Sequence, residues 1–380
     1  MKLLLVTNLY PPQELGGYGR SMADFAHGLQ QRGHQVTVLT SDAPYLERGD
    51  QADEGQVLRL LQLAGSFRRG VQTWQEPDVV AQANHFNQSL ISRLQRKRGL
   101  FDAALIGNLD LLGPGPLHSL HQLGLPMVHH MGFVEPPFPG ILLPPKGGYT
   151  VAAASNAVRR GLVGAGWPAA DAPVVYPGAR LELFGRSTAR HPFRDATATP
   201  LKIAFAGLLM ATKGAHTLVE ALVLLAQQGI PFEASLAGGD FQQNYRHRLE
   251  ALIEAHGLGD QIHFVGQLDR PALAQWLGHH NVFVFPSIYP EAFGIVQAEA
   301  MASGLALVSS GVGGAAELFE EGISGLRFEA GNPHSLARVL AQLAKNPALV
   351  NQLGQEGQKR ATALFSVAAA AQQLEGLLLQ

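Results

Sequence analysis

Residues 282–308 read VFVFPSIYPEAFGIVQAEAMASGLALV, and their reading decides the fold. Val282–Phe285 is four apolar residues cut off by Pro286-Ser287, the signature of a short buried strand. An irregular loop then carries Glu291, a helix begins near Gly294, and Leu305–Val308 is a second apolar strand. Strand, loop, helix, strand is a βαβ unit, which implies a parallel sheet with ligands at the carboxyl edge of its strands. A helix led by Gly294 offers free N–H groups and the positive end of its dipole, a setting that suits phosphate. Glu299 falls inside that helix, eight residues after Glu291. Two carboxylates flanking a phosphate site suit a ligand with hydroxyls on both sides of a diphosphate, as in a nucleotide-sugar.

The pattern repeats outward from this stretch. Upstream, Leu201–Gly207 reads as a strand and Gly214–Gln228 as a helix with Leu218, Ala221, Leu222 and Leu225 on one face. Glu233–Ala237 and Ile262–Val265 supply further strands. The first half shows the same alternation. Leu3–Asn8 is a strand, Gly16-Gly17 a loop, and a helix with Met22, Phe25, Ala26 and Leu29 on one face stops at Gly33. Strands are expected at Val36–Thr40, Val57–Leu63, Asp102–Gly107, Met127–Met131, Tyr149–Ser155 and Val174–Tyr176, with helices at Val79–Arg98 and Ala157–Ala165. The stretch Gly185–Pro200, rich in Ser, Thr, Ala and Pro, reads as a linker. The expected fold is α/β: two doubly wound, Rossmann-like domains, residues 1–184 and 185–361, facing each other across a cleft.

Composition narrows the function. The chain has 380 residues, enough for two domains at about 150 residues each. It is 46% hydrophobic and 15% charged, as expected of a well-cored globular protein. A formal charge of −2 lacks the basic excess of a general nucleic-acid binder. With no cysteine, disulfides, thiol catalysis and Cys-ligated zinc are excluded. The run Leu3–Val6 is too short for a signal peptide and no stretch approaches 18 uncharged apolar residues, so the expected location is cytoplasmic. The basic run Arg93–Arg98 has two readings: cations favoured at a helix C-terminus, or a patch docking on an anionic membrane.

The Glu291–Glu299 spacing resembles the Glu-x7-Glu signature of family 4 of the retaining glycosyltransferases, whose fold is termed GT-B. Val312-Gly313-Gly314-Ala315-Ala316-Glu317 resembles the Gly-Gly-x-x-Glu element that follows it there. The resemblance covers nearly the whole chain and is most specific between Ala204 and Gly325. It implies transfer of a sugar from a UDP- or GDP-sugar to an acceptor hydroxyl, in glycan, glycolipid or exopolysaccharide synthesis. It implies that Glu291 holds hydroxyls of the transferred sugar and Glu299 those of the ribose. Lys213 and the helix N-terminus formed by Ala292, Phe293, Gly294, Ile295 and Val296 would hold the diphosphate. Gly207 and Gly266 would line the donor site, the latter beside the base, and Gly16-Gly17, otherwise a plain tight turn, would close over the phosphates. A histidine facing the sugar is placed at His130, with His129 as the alternative; from spacing alone, a satisfied structural histidine fits equally well. No metal or other cofactor is implied, and the final helix, about 362–380, would cross back to the first domain.

One departure stands out. The family's usual Arg after Gly207 is Leu208 here, which leaves Lys213 to bear most of the charge unless Arg20 or Arg270 contributes. Two rivals remain: an epimerase or hydrolase of nucleotide-sugars on the same architecture, and, motivated by Leu208, a non-catalytic nucleotide-sugar binder. Neither the donor base, the sugar nor the acceptor is legible.

Overall fold

The computed structural model describes residues 1–46, 56–68, 72–97, 101–145, 147–185 and 200–380. The chain forms two compact units, Met1–Pro177 with Val367–Gln380, and Gly178–Ser366. In chain order the first contains β1 (Lys2–Val6), α1 (Gly17–Gln31), β2 (Gln35–Ser41), β3 (Gln56–Leu61) and a short antiparallel ribbon, β4 (Gly65–Ser66) and β5 (Thr73–Trp74). It continues with α2 (Pro77–Lys97), β6 (Ala103–Ile106), α3 (Gly115–Gln122), β7 (Met127–Met131), β8 (Tyr149–Ala153) and α4 (Asn156–Gly164). The second unit runs α5 (Leu181–Phe184), β9 (Leu201–Ala206), α6 (Ala215–Gln227), β10 (Phe232–Ala237), α7 (Tyr245–Ala255), β11 (Ile262–Gly266) and α8 (Arg270–Leu277). It ends with β12 (Val282–Phe285), α9 (Ile295–Ala302), β13 (Ala306–Ser309), β14 (Leu326–Arg327), α10 (Pro333–Ala344) and α11 (Pro347–Leu364). The last helix, α12 (Val367–Leu378), belongs to the first unit.

Each unit is built on one six-stranded parallel sheet, ordered β3-β2-β1-β6-β7-β8 in the first and β11-β10-β9-β12-β13-β14 in the second. Parallel strands covered on both faces read as continuous apolar runs. Every residue of β6, β7, β12 and β13 is accordingly buried. In the second unit, Leu218, Leu222 and Leu225 of α6 share a core with Leu336, Leu340 and Leu343 of α10. Strand order reverses between β1 and β6, and between β9 and β12. Chain connections leave the sheet in opposite directions at such points, opening a crevice beyond the carboxyl ends of the strands.

Three expectations shift. Val174–Tyr176 is no strand: Pro173 and Pro177 bracket it, and one bridge, Ala153 to Val174, is all that forms. Residues 178–184, assigned by sequence to the first half, fall in the second unit because α5 packs on α8 and α9. The return to the first unit begins at Val367, not near 362, since α11 runs to Leu364 and Phe365 is tied to Ala179 by a backbone hydrogen bond of 2.8 Å. α12 then packs on α1, with Gly28 against Ala371 and Arg32 and His34 on Glu375. Of the linker Gly185–Pro200, residues 186–199 lie outside the described residues.

Candidate functional site

The reversal point of the second sheet gathers three chain segments. After β9 comes Gly207, then a tight turn over Ala211–Lys213 ending at Gly214. Gly214 has φ +71°, and a Cβ there would stand 1.9 Å from the Pro286 carbonyl oxygen, so only glycine lets this turn press against the loop after β12. The two loops are joined by a hydrogen bond from the Ile288 N–H to the Thr212 carbonyl at 2.9 Å, and the Ser287 hydroxyl oxygen lies 3.1 Å from that carbonyl. That contact brings Lys213 Nζ to 2.7 Å from Glu291 Oε1, which also accepts from the Ser287 hydroxyl at 2.6 Å.

The third segment follows β13 and clamps the Glu291 backbone. Glu291 N–H donates to the Val312 carbonyl at 3.2 Å, and Gly314 N–H donates to the Glu291 carbonyl at 2.7 Å. Gly313, at φ +70°, lies so close that a Cβ would meet the Glu291 oxygen at 2.5 Å. The element Val312–Glu317 thus holds Glu291 in place from behind.

Gly294 caps α9 with φ +94° and no side-chain cap. Ala292, Ile295 and Val296 are half-buried around it, whereas Phe293 is 2% exposed and packs edge-on against Phe365 at 5.5 Å. Phe293 therefore anchors the turn through its ring, and only its backbone stays at the helix start. Deeper in α9, Glu299 is wholly buried, with Oε1 3.6 Å from an Arg270 guanidinium nitrogen. Gly266, at φ +77°, ends β11 beside an exposed Val265.

In the first unit, Gly16 and Gly17 are exposed at the N-terminus of α1, which also lacks a side-chain cap. The two histidines of β7 are turned inward. The His129 ring nitrogens lie 2.8 Å from the Tyr149 hydroxyl and 3.2 Å from the Gly107 carbonyl, and burial lowers its pKa to about 3. His130 Nε2 lies 2.8 Å from the Val175 carbonyl, its ring sits edge-on to Phe25, and burial lowers its pKa to about 4. Its other ring nitrogen, Nδ1, is buried with no hydrogen-bond partner among the described residues. The carbonyl of His130 accepts from the Tyr18 hydroxyl, whose pKa burial raises.

Lys213, Glu291, Gly207 and Gly294 thus meet at one sheet edge. Sequence reasoning missed Ser287, which braces Glu291, because a Ser after Pro reads as turn chemistry alone. It also named Arg270 only as a possible charge for the phosphates, while the structure sets it on Glu299. Arg20, the other candidate, sits 3.4 Å from Glu14. Arg93 and Arg96 are both exposed on α2; Arg98 lies outside the described residues. Among the described residues, no three His, Asp or Glu side chains converge as a metal site, and no helix is long and apolar enough to cross a membrane.

The two sheets and their order define the GT-B fold. A glycosyltransferase from Rickettsia africae superposes with a TM-score of 0.80 at 19% identity, covering 100% of this chain and 98% of that one. Anabaena HepE, solved in complex with UDP and glucose, gives 0.74 at 22% identity over 100% and 99%. Residues 189–360 match the model for glycosyl transferases group 1. Across 193 residues the chain is 31% identical to a D-inositol 3-phosphate glycosyltransferase of Streptomyces bingchenggensis, covering 48% of this chain and 42% of that protein. It thus spans less than half the length of that relative. A glycogen synthase of Mycobacterium tuberculosis is 26% identical over 396 residues, 96% of this chain and 91% of its own.

Proposed function

We propose that this chain is a retaining glycosyltransferase that moves a sugar from a nucleoside-diphosphate donor to an acceptor hydroxyl. The observation that carries the reading is the 2.7 Å Lys213–Glu291 pair, set at the strand-order reversal beside the uncapped start of α9. An ammonium has three donors and Glu291 takes one, so Lys213 can also donate to phosphate oxygens. As the glycosidic C–O bond breaks, negative charge grows on the departing diphosphate. A fixed cation and a helix N-terminus are the groups that stabilise it without reorganising.

In this scheme Glu291 accepts from hydroxyls of the transferred sugar and Glu299 from the ribose, with Gly266 beside the base. The departing phosphate oxygen takes the proton of the attacking acceptor hydroxyl on the same face of the sugar, which preserves anomeric configuration. Lys213 and the α9 terminus do the charge neutralisation, so the scheme needs no metal. HepE, solved with UDP and glucose, supports a nucleotide-sugar donor. The acceptor class is a sugar, glycolipid or small molecule, and Arg93 and Arg96 on α2 suit a cytoplasmic protein that touches an anionic membrane.

The test is turnover with UDP- and GDP-sugars, following the anomeric proton of the product by NMR. Product with the donor's configuration is expected. An inverted product contradicts the retaining step, and epimerised or merely hydrolysed sugar contradicts transfer. Leu208 favours one other reading, a nucleotide-sugar binder without turnover. Binding with no product from any acceptor, relieved by Leu208→Arg, would establish it.

A further inference from the structure

Arg270 is out of place by the ordinary rules of helices. It is the first residue of α8, where the helix dipole disfavours a cation, and it is 5% exposed, where a charge requires a partner. Its position is nonetheless firmly built. Asp269 caps the helix by accepting from the Ala272 N–H at 2.8 Å, and Pro271 fixes the first turn. The side chain so presented reaches Glu299, at 3.6 Å, a charge contact rather than a hydrogen bond. Glu299 comes from a different helix, α9, and is itself fully buried. Two unfavourable placements, a cation at a helix start and a carboxylate in the interior, thus compensate each other.

We propose that Arg270 is a positioning residue for nucleotide binding: its guanidinium fixes the rotamer and supplies the counter-charge of Glu299, so that this carboxylate can receive the ribose hydroxyls. The proposal rests on the donor-site reading above. Arg270 follows directly on the β11 loop, where Gly266 is expected beside the base, so one short segment serves both base and ribose.

The test compares binding of UDP, GDP and ADP with binding of their 2′,3′-dideoxy forms by calorimetry, in wild type, Glu299→Gln, Arg270→Met and Arg270→Lys. Wild type should prefer the ribonucleotide by about tenfold or more, the scale of hydrogen bonds to a charged group. Glu299→Gln and Arg270→Met should both bring that ratio close to one, and Arg270→Lys should restore part of it. The ratio, not the affinity, is the readout, because a general loosening of the fold weakens both nucleotides alike. Arg270→Lys keeps the test open if Arg270→Met does not fold. A ratio lost in Glu299→Gln but intact in both Arg270 variants overturns the role of Arg270 and leaves the donor site standing. A wild type that does not discriminate, or binds none of the three, overturns the donor-site reading and this inference with it.

Discussion

The two parallel sheets have the same strand order, yet their carboxyl edges are made of different material. At the edge of the second sheet, between β9 and β12, polar groups face one another across loops pinned by glycines: Lys213 on Glu291, Ser287 on Glu291, Gly313 behind it. In the first sheet the titratable groups on β7 are absorbed into the core, His130 against Phe25 and His129 against Tyr149. The Gly16-Gly17 turn stays exposed at the start of α1. On the proposed reading, the edge of the second sheet takes a fixed anionic ligand, whereas the β7 histidines of the first are buried. The same scaffold hosts both because the loops, not the strands, carry the chemistry.

If that contrast is right, substitutions at the two edges separate activity from stability. The largest effect should come from Lys213→Ala. With the transition-state cation removed, kcat/KM should fall about a thousandfold, about 4 kcal/mol, while loss of the partly exposed ion pair leaves Tm within about 2 °C. A large drop in Tm with unchanged kinetics would reverse the assignment.

His130 should show the opposite behaviour. Its pKa is about 4 folded against 6.5 as the free side chain, so below pH 6.5 the unfolded chain binds a proton that the folded one does not. Stability is therefore whole above pH 6.5 and is lost as pH falls towards 4, by on the order of 3 kcal/mol. In His130→Phe the loss over that window, followed by urea unfolding, should shrink; an unchanged pH profile would place the ring outside the core.

Gly28→Leu sharpens the same contrast from the far side of the first unit. A Cβ there would lie 2.7 Å from the Ala371 Cβ and 3.2 Å from the Val367 carbonyl. Overpacking should cost about 2 kcal/mol and loosen α12 from α1, visible as faster amide exchange in 367–378. The smallest effect belongs to Ser287→Ala. Losing the 2.6 Å bond to Glu291 should raise the donor KM up to about tenfold, with little change in Tm. A KM that does not move would mean that Lys213 alone orients Glu291.

Much of this was legible in the sequence, for reasons that can be named. Val282–Phe285 could hardly be anything but a buried strand, because both faces of a parallel sheet demand apolar residues at every position. Glycines at 214, 294 and 313 marked backbone conformations that other residues resist, and each sits where two segments press together or a helix begins. What stayed hidden depends on tertiary partners. Nothing about His129-His130 in sequence says which carbonyl or ring each will meet, so a packed histidine and a ligand contact look alike. Val174–Tyr176 has strand-forming residues, but its flanking prolines left a single bridge. Arg270 carried one legible warning, a cation at a helix start, but its partner lies on another helix and only the folded chain brings them together.

The proposed donor site is tested most directly by thermal unfolding in UDP, GDP and ADP, for wild type and Lys213→Ala. At one hundred times its dissociation constant, a bound nucleotide adds about 2.7 kcal/mol. One of the three should do so for wild type and lose most of that gain in Lys213→Ala. Stabilisation by none of them, or equal stabilisation of both proteins, would contradict a phosphate site built on Lys213.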